Sequence, residues 1–295
     1  MSHNFLFCVK DFINNNIKKS KIIIIFYFIT FFFEKKYFHN YKIFAISYAN
    51  CRFKKQLKIN KLTAIKVGKV DEYYSYKFDD IDLNFKKKNK NILSRRRGDG
   101  YWLWKPYFIL KTLKEKLNKG DYLIYTDAGI FYLDKVDKLI KFMISINEDI
   151  WLNRLPYLEK KYSKRDAFIL LDADYPIYTE TSQYMAGIQV YKKSKYTENF
   201  LTKLLNYSTD KRIITDDPNT QGLPNYKEFR ENRHDQTVIS ILIKKFRFSN
   251  LNKKKTKASD INKMYYNFKP KCFCVYRQIP FKNYFDLRKK CKFII

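Results

Sequence analysis

The chain has 295 residues, enough for one large α/β domain with a genuine core and too few for two ordinary enzyme domains with linkers. Apolar residues make up 45% of it and aromatics 18%, which excludes a largely disordered chain. Lys and Arg number 60 against 29 Asp and Glu, a formal charge of +31 that would attract nucleic acid, anionic headgroups or phosphorylated substrates; the surplus is mostly Lys, accompanied by the Ile, Asn, Phe and Tyr of AT-rich codons, so charge alone names no partner.

Residues 1–40 stand apart. Residues 22–33 are almost wholly apolar, preceded by Lys18, Lys19 and Lys21 and followed by Glu34, Lys35 and Lys36. A spanning helix needs about 20 apolar residues, so this run reads either as an interfacial or short anchoring segment over 18–36, or as an element packed on the domain.

From Tyr41 the pattern becomes that of an enzyme domain, covering residues 41–250. Residues 42–47 read as a buried strand, followed by the turn Tyr48, Ala49, Asn50. Residues 61–70 hold a second short element, and residues 78–90, polar and lysine-rich, read as a surface loop. Pro106 suits the first turn of a helix whose Leu110, Leu113 and Leu117 share a face and which Gly120 stops. Residues 122–125 are apolar at successive positions, as in a parallel strand covered on both faces. Asp134 opens a helix carrying Val136, Leu139, Ile140 and Met143. Strands follow at 149–155 and 184–191, and a helix at 195–207. Residues 210–230 form a long loop with two prolines, and such loops are usually functional. The last clear helix begins at His234, Asp235 and Gln236 and turns Val238, Ile241, Leu242 and Phe246 to the core. Residues 251–295, basic and aromatic, show no periodicity and are expected to pack on the domain.

The five cysteines, Cys8, Cys51, Cys272, Cys274 and Cys291, are odd in number and scattered, which fits a reducing, cytoplasmic setting better than a disulfide framework. Cys272, Cys274 and Cys291 have neither a second pair nor a nearby His to make a structural zinc site.

Three places carry candidate chemistry. In an open α/β sheet ligands bind beyond the carboxyl ends of the strands, which places Asp127 at the rim. There it either binds a divalent cation that bridges a diphosphate or caps the next turn, with Gly129 giving close access to the backbone or supplying the turn geometry. The stretch from Ser94 to Pro106 combines Arg97, Gly98, Trp102, Trp104 and Lys105. It suits a diphosphate and a base, with a basic turn and core tryptophans as the plainer reading. His234 and Asp235 open the last helix, where exposed N–H groups favour an anion. Either residue is a candidate metal ligand and Asp235 a candidate base, against a capping Asp235 beside an exposed His234.

Taken together, four blocks resemble a bacterial and large-virus family of glycosyltransferases in the nucleotide-diphospho-sugar transferase superfamily. These blocks are residues 43–50 (IFAISYAN), 97–106 (RGDGYWLWKP), 120–129 (GDYLIYTDAG) and 233–240 (RHDQTVIS), with residues 164–168 and 183–187 between them in the family's order. The resemblance covers about residues 41–250. It implies the GT-A fold, a mixed and mainly parallel sheet flanked by helices in a single α/β domain. It implies a transfer of a hexose from a UDP- or GDP-linked sugar to a glycan, lipid-linked or protein acceptor, with Mn²⁺ or Mg²⁺. Tyr48 and Asn50 then lie near the nucleotide, with Arg97, Gly98, Trp104, Lys105 and Gly129 on the donor. Gln183, Ala186 and Gly187 lie on the sugar or acceptor side, and Asp235 or Asp174 assists the acceptor hydroxyl. Asp127 stands for the first aspartate of the Asp-x-Asp metal motif. The second position is Gly129, so the metal either takes another ligand, His234 or Asp235, or is dispensable. The rival readings are a basic nucleic-acid-binding protein, against which no nucleic-acid module is recognisable, and a catalytically silent scaffold of the same fold.

Overall fold

Strand β1, Ile43–Tyr48, is buried at every position, as a strand paired on both sides and covered on both faces must be. It belongs to a computed structural model that describes residues 41–263 and 272–275. The N-terminal segment expected over 1–40, with its anchor at 18–36, lies outside the described residues, as does much of 251–295.

β1 pairs in parallel with β2, Glu72–Tyr76, on one side and with β3, Tyr122–Thr126, on the other. Beyond β3, β6 (Ser182–Lys192) runs antiparallel, and β5 (Ile150–Leu158) pairs antiparallel with β6 at the far edge. The five-stranded order is β2-β1-β3-β6-β5, so the mixed, mainly parallel sheet flanked by helices is present as expected. A separate antiparallel pair joins β4, Ile130–Tyr132, to β7, Phe273–Val275.

Strand side chains alternate between faces, and the two faces have different covers. Phe44, Ile46, Tyr48, Leu123 and Tyr125 enter a core shared with helices α5 (Trp104–Lys116), α10 (Lys195–Ser208) and α12 (Asp235–Arg247), through residues such as Phe108, Leu113, Phe200, Leu204, Val238 and Leu242. On the other face Thr126 meets α1, Lys54–Thr63, through the buried amide of Asn60.

Several elements differ from expectation. Residues 78–90 are a short 3₁₀ turn at Phe78–Asp80 and α2 at Leu83–Lys88, followed by α3 at Lys90–Leu93. Asp82 caps α2 by accepting from the backbone N–H groups of Asn84 and Phe85, while Ile81, Ile92 and Leu93 are buried. Three apolar side chains were enough to anchor a segment whose lysines masked it. The element expected within 61–70 starts earlier, at Lys54, and closes through a wide turn at Ala64–Gly68. β2 has no counterpart in the sequence reading, because an edge strand of Tyr and Ser with one Glu lacks a continuous apolar run. The helix expected from Asp134 begins at Asp137 as α6, Asp137–Ser145, with Val136, Leu139, Ile140 and Met143 buried as expected. The loop 210–230 opens with one helical turn, α11, at Lys211–Ile214. Four more short turns are α4 (Gly98–Tyr101), α7 (Glu159–Tyr162), α8 (Arg165–Leu170) and α9 (Pro176–Thr179), of which the first three matter for the site.

Candidate active site

Lys105 is 3% exposed, and its ammonium lies between two carboxylates from distant parts of the chain: 3.2 Å from Asp127 Oδ1 and 2.6 Å from Asp235 Oδ2. Asp127 follows β3 directly, and Asp235 is the first residue of α12. Pro106 and the first turn of α5 put Lys105 beneath both. Nζ also donates to the carbonyl of Ala186 at 3.4 Å, in β6. A buried lysine without such partners would shed its proton. Here burial works against the charge, but Asp127 and Asp235 outweigh it and hold the ammonium above its usual value. Burial pushes the Asp235 carboxyl up, with Lys105 opposing.

Tyr125 Oη donates to Asp127 Oδ1 at 2.6 Å. Residues two apart on a strand share a face, so the Tyr-Thr-Asp spacing already contained this contact. The backbone N–H of Asp127 donates to the carbonyl of Gly187 at 2.9 Å. A Cβ on Gly187 would stand 3.0 Å from Asp127 Oδ2, so the missing side chain leaves room for that half-exposed carboxylate. On the opposite face, Asn60 donates to Thr126 Oγ1, to the carbonyl of Asp127 and to that of Ile130. Nothing in the lysine-rich context of α1 singled Asn60 out. Gly129 lies in the turn after Asp127 with a φ outside the left-handed region, so left-handed geometry is not what it supplies.

His234 is not exposed, and Asp235 is not a simple cap: the side chain of Asp235 is turned to Lys105, and His234 is 2% exposed. Its backbone has φ 53° and ψ −115°, a region few side-chain-bearing residues occupy. The ring is held by an Nδ1 bond to the carbonyl of Ile214 at 2.8 Å and by stacking on Trp102 at 5.4 Å. Nε2 has no hydrogen-bond partner among the described residues and lies 3.8 Å from Asp216 Oδ1. Burial lowers the His234 pKa, against the Ile214 bond and Asp216, so the ring is neutral near pH 7.

The Arg97 to Lys105 stretch is a folded cradle. Tyr48 stacks on Trp104 at 3.8 Å, and its hydroxyl donates to Asp99 at 3.0 Å. Trp104 Nε1 donates to the carbonyl of Gly98 at 2.9 Å. Gly98 has φ +58°, and a Cβ there would lie 2.5 Å from the Trp102 ring. Arg97 pairs with Asp216 at 3.1 Å. Asn50 caps the turn Cys51–Phe53 by accepting from the Arg52 N–H. Trp104 is a core residue whose ring backs Tyr48, as the plainer reading of this stretch expected.

Gln183, Ala186 and Gly187 belong to β6 and are tied to the site from behind. Gln236 Nε2 donates to Gln183 Oε1, and the Ala186 N–H donates to Gln236 Oε1. Gln183 Nε2 in turn donates to Glu159 Oε1. Glu159 and Lys244 are fully buried and paired at 2.5 Å, with Ser163 and Ser240 also donating to Glu159. This relay was invisible in sequence, since no local pattern marks a pair 85 residues apart. Asp174 is elsewhere engaged: Arg165 of α8 grips one oxygen at 2.8 and 3.0 Å, and Tyr226 donates to the other at 2.6 Å.

Among the described residues no group of three His, Cys, Asp or Glu side chains gathers as a metal site. Asp127 Oδ1 and Asp235 share the Lys105 ammonium, and His234 is turned toward Asp216. A closed site of protein ligands does not fit. What the residues do fit is a cation at Asp127 alone, because two carboxylates against one ammonium leave surplus negative charge and the Asp127 side chain is half-exposed.

No family profile matches the sequence, and no curated protein matches it. Among solved structures, the chain is similar to the bifunctional glycosyltransferase WbbM over 70% of its own length and 38% of WbbM, at 10% identity and a TM-score of 0.41. It is similar to mouse xyloside xylosyltransferase 1 over 72% of this chain and 83% of that one, at 11% identity and 0.39. It is similar to the galactosyltransferase LgtC in complex with donor and acceptor sugar analogues over 68% and 70%, at 13% identity and 0.34.

Proposed function

We propose that this protein is a glycosyltransferase that moves a hexose from a UDP- or GDP-linked sugar to a glycan, lipid-linked or protein acceptor. One observation carries the reading. Lys105 is clamped between Asp127, at the carboxyl end of β3, and Asp235, at the N-terminus of α12, at the edge of the sheet where α/β proteins bind their ligands. A charged cluster with Lys105 and Asp235 buried at that edge is costly to maintain for stability alone, and the perturbed Asp235 carboxyl there points to chemistry. Three of the family blocks seen in the sequence supply it, 97–106 through Lys105, 120–129 through Asp127 and 233–240 through Asp235, and 43–50 adjoins it through the stack of Tyr48 on Trp104.

Donor binding falls to the cradle of Tyr48, Gly98 and Arg97, with Asp127 facing the diphosphate. A diphosphate set beside surplus negative charge needs a further cation. Mn²⁺ or Mg²⁺ held by Asp127 would supply it and would stabilise the leaving diphosphate. Asp235 is better placed than Asp174 to accept the proton of the acceptor hydroxyl, since both oxygens of Asp174 are engaged. Gln183 and Gln236 fix the Ala186 to Gly187 backbone that forms the floor for the transferred sugar.

Release of nucleoside diphosphate from a panel of UDP- and GDP-sugars, with and without Mn²⁺, tests the reading. We expect Mn²⁺-stimulated release, reduced about 100-fold or more in Asp127→Ala. Silence across the panel with nucleic-acid binding intact would sink the enzyme reading in favour of a scaffold or a basic nucleic-acid-binding protein.

A further inference from the structure

Helix α1 has two chemically different sides. Its inner side is polar and spoken for: the Asn60 amide donates to Thr126, Asp127 and Ile130, and Tyr73 donates to Asn60 Oδ1 at 2.5 Å. Its outer side has no partner among the described residues. Between Cys51 and Val70 there are seven Lys and Arg residues and no Asp or Glu. All seven are exposed, and none forms an ion pair with a described residue.

The chain is rich in lysine throughout, so abundance alone distinguishes nothing. What distinguishes α1 is that its unpaired cations share their face with several large exposed apolar side chains. Some helices pair lysines one turn apart, as in Lys111 with Glu115, Lys138 with Asp134 and Lys141 with Asp137, while α2 and α3 leave Lys87, Lys88 and Lys90 without an ion pair to a described residue beside a single exposed large apolar side chain, Leu83. On α1 the corresponding positions hold further cations or apolar groups. Lys54, Lys58, Lys61, Leu62 and Ile65 recur at the three- and four-residue spacing that places side chains along one stripe. Leu62 is 54% exposed and Ile65 39%, with Phe53 at 50% at the helix start. Large apolar side chains standing among unpaired cations on one face make the surface that an anionic bilayer complements: cations meet headgroups and apolar tips enter the acyl boundary. Nucleic acid would use the charges and leave Leu62 and Ile65 without purpose.

We propose that the outer face of α1 docks this protein on an anionic lipid bilayer. The helix is about 10 Å across, and its inner face is bonded to the Asp127 turn, so the bilayer lies about one helix diameter behind that turn. Taken with the glycosyl-transfer reading, on which this last step alone rests, the docking selects the lipid-linked sugar among the three acceptor classes.

The test is binding of the full chain, without donor, to phosphatidylcholine vesicles with and without phosphatidylserine, measured by co-sedimentation at several salt concentrations. The variant Lys54→Glu/Lys58→Glu/Lys61→Glu is compared with Lys87→Glu/Lys88→Glu/Lys90→Glu, which makes the same charge change on exposed positions of α2 and α3. All variants keep residues 1–40, so any contribution of that segment is common to them, and circular dichroism checks their folding. The α1 variant is expected to lose about tenfold or more in affinity for anionic vesicles and the control to stay within about threefold. Leu62→Ser/Ile65→Ser should weaken the binding that survives high salt. Equal losses in the α1 variant and the control would overturn the proposal, as would an α1 variant that loses affinity for single-stranded DNA but not for vesicles. Donor hydrolysis plays no part in this readout, so failure of the docking and failure of the enzymatic reading are separable.

Discussion

Burial keeps His234 neutral, and its contribution to stability follows from that. Its pKa in the folded chain lies below the unfolded value of about 6.5, so folding favours the neutral ring. The contribution is fully present above that unfolded value and is lost as pH falls through the lower folded one. Urea unfolding at pH 7.5 and again near pH 5 should therefore show a loss of stability on acidification that shrinks in His234→Asn. An equal loss in the variant would mean that other groups carry the acid sensitivity. Asn is chosen because it tolerates positive φ better than most residues. Gly187 makes a second case. An added Cβ meets Met185 Cε at 2.8 Å, a flexible end that can yield, and Asp127 Oδ2 at 3.0 Å, which cannot yield without moving the carboxylate. Gly187→Ala should thus cost about 1–2 kcal/mol of stability but reduce donor hydrolysis about tenfold or more. Unchanged hydrolysis would place the sugar away from Gly187.

At the scale of elements, the buried Glu159 to Lys244 pair ties α7 to α12 and, through Gln183, to β6. Burial alone lowers the Lys244 pKa, with Glu159 opposing. Removing one partner leaves a buried charge uncompensated, so Lys244→Met should cost about 3–5 kcal/mol in urea unfolding. The double variant Glu159→Gln/Lys244→Met should recover part of that, because the amide oxygen still accepts from Ser163 or Ser240 while no net charge remains. If the double variant is the sum of its singles, the pair is not the coupled unit described above. The relay is also why Asp235 occupies a defined position. The residue after it is bonded to both Gln183 and the Ala186 backbone, so the first turn of α12 cannot rotate without breaking β6's support.

Over the whole molecule, the legible parts were those with strong local signals. β1, β3 and β6 appear as apolar runs, and α5, α10 and α12 as periodic helices, because each buries a continuous stripe. Asp127, Lys105 and Asp235 were each named from their blocks, and the structure joins them. The sequence does not reveal that they form one cluster, since its blocks mark Lys105 as a donor ligand and Asp235 as a metal ligand or base. Non-local pairing made the difference: Lys105 meets carboxylates supplied by the end of β3 and the start of α12. β2 and α2 were missed because their few buried positions were diluted among lysines and tyrosines. Asn60, Gln236 and Glu159 act through partners far away in sequence, so no window along the chain could mark them.

The lysine cluster also bears on how the chain is made. A protein that folds as it is synthesised presents β1, α1 and α5 long before α12. Lys105 and Asp127 are then both present, while the carboxylate of Asp235 has not yet been added. An ammonium in a low-dielectric pocket with an incomplete set of partners is unfavourable, so the first turn of α5 settles only when α12 arrives. A nascent chain stopped short of residue 235 would possess the carboxyl end of β3 and the Asp127 turn but not the second carboxylate that holds Lys105.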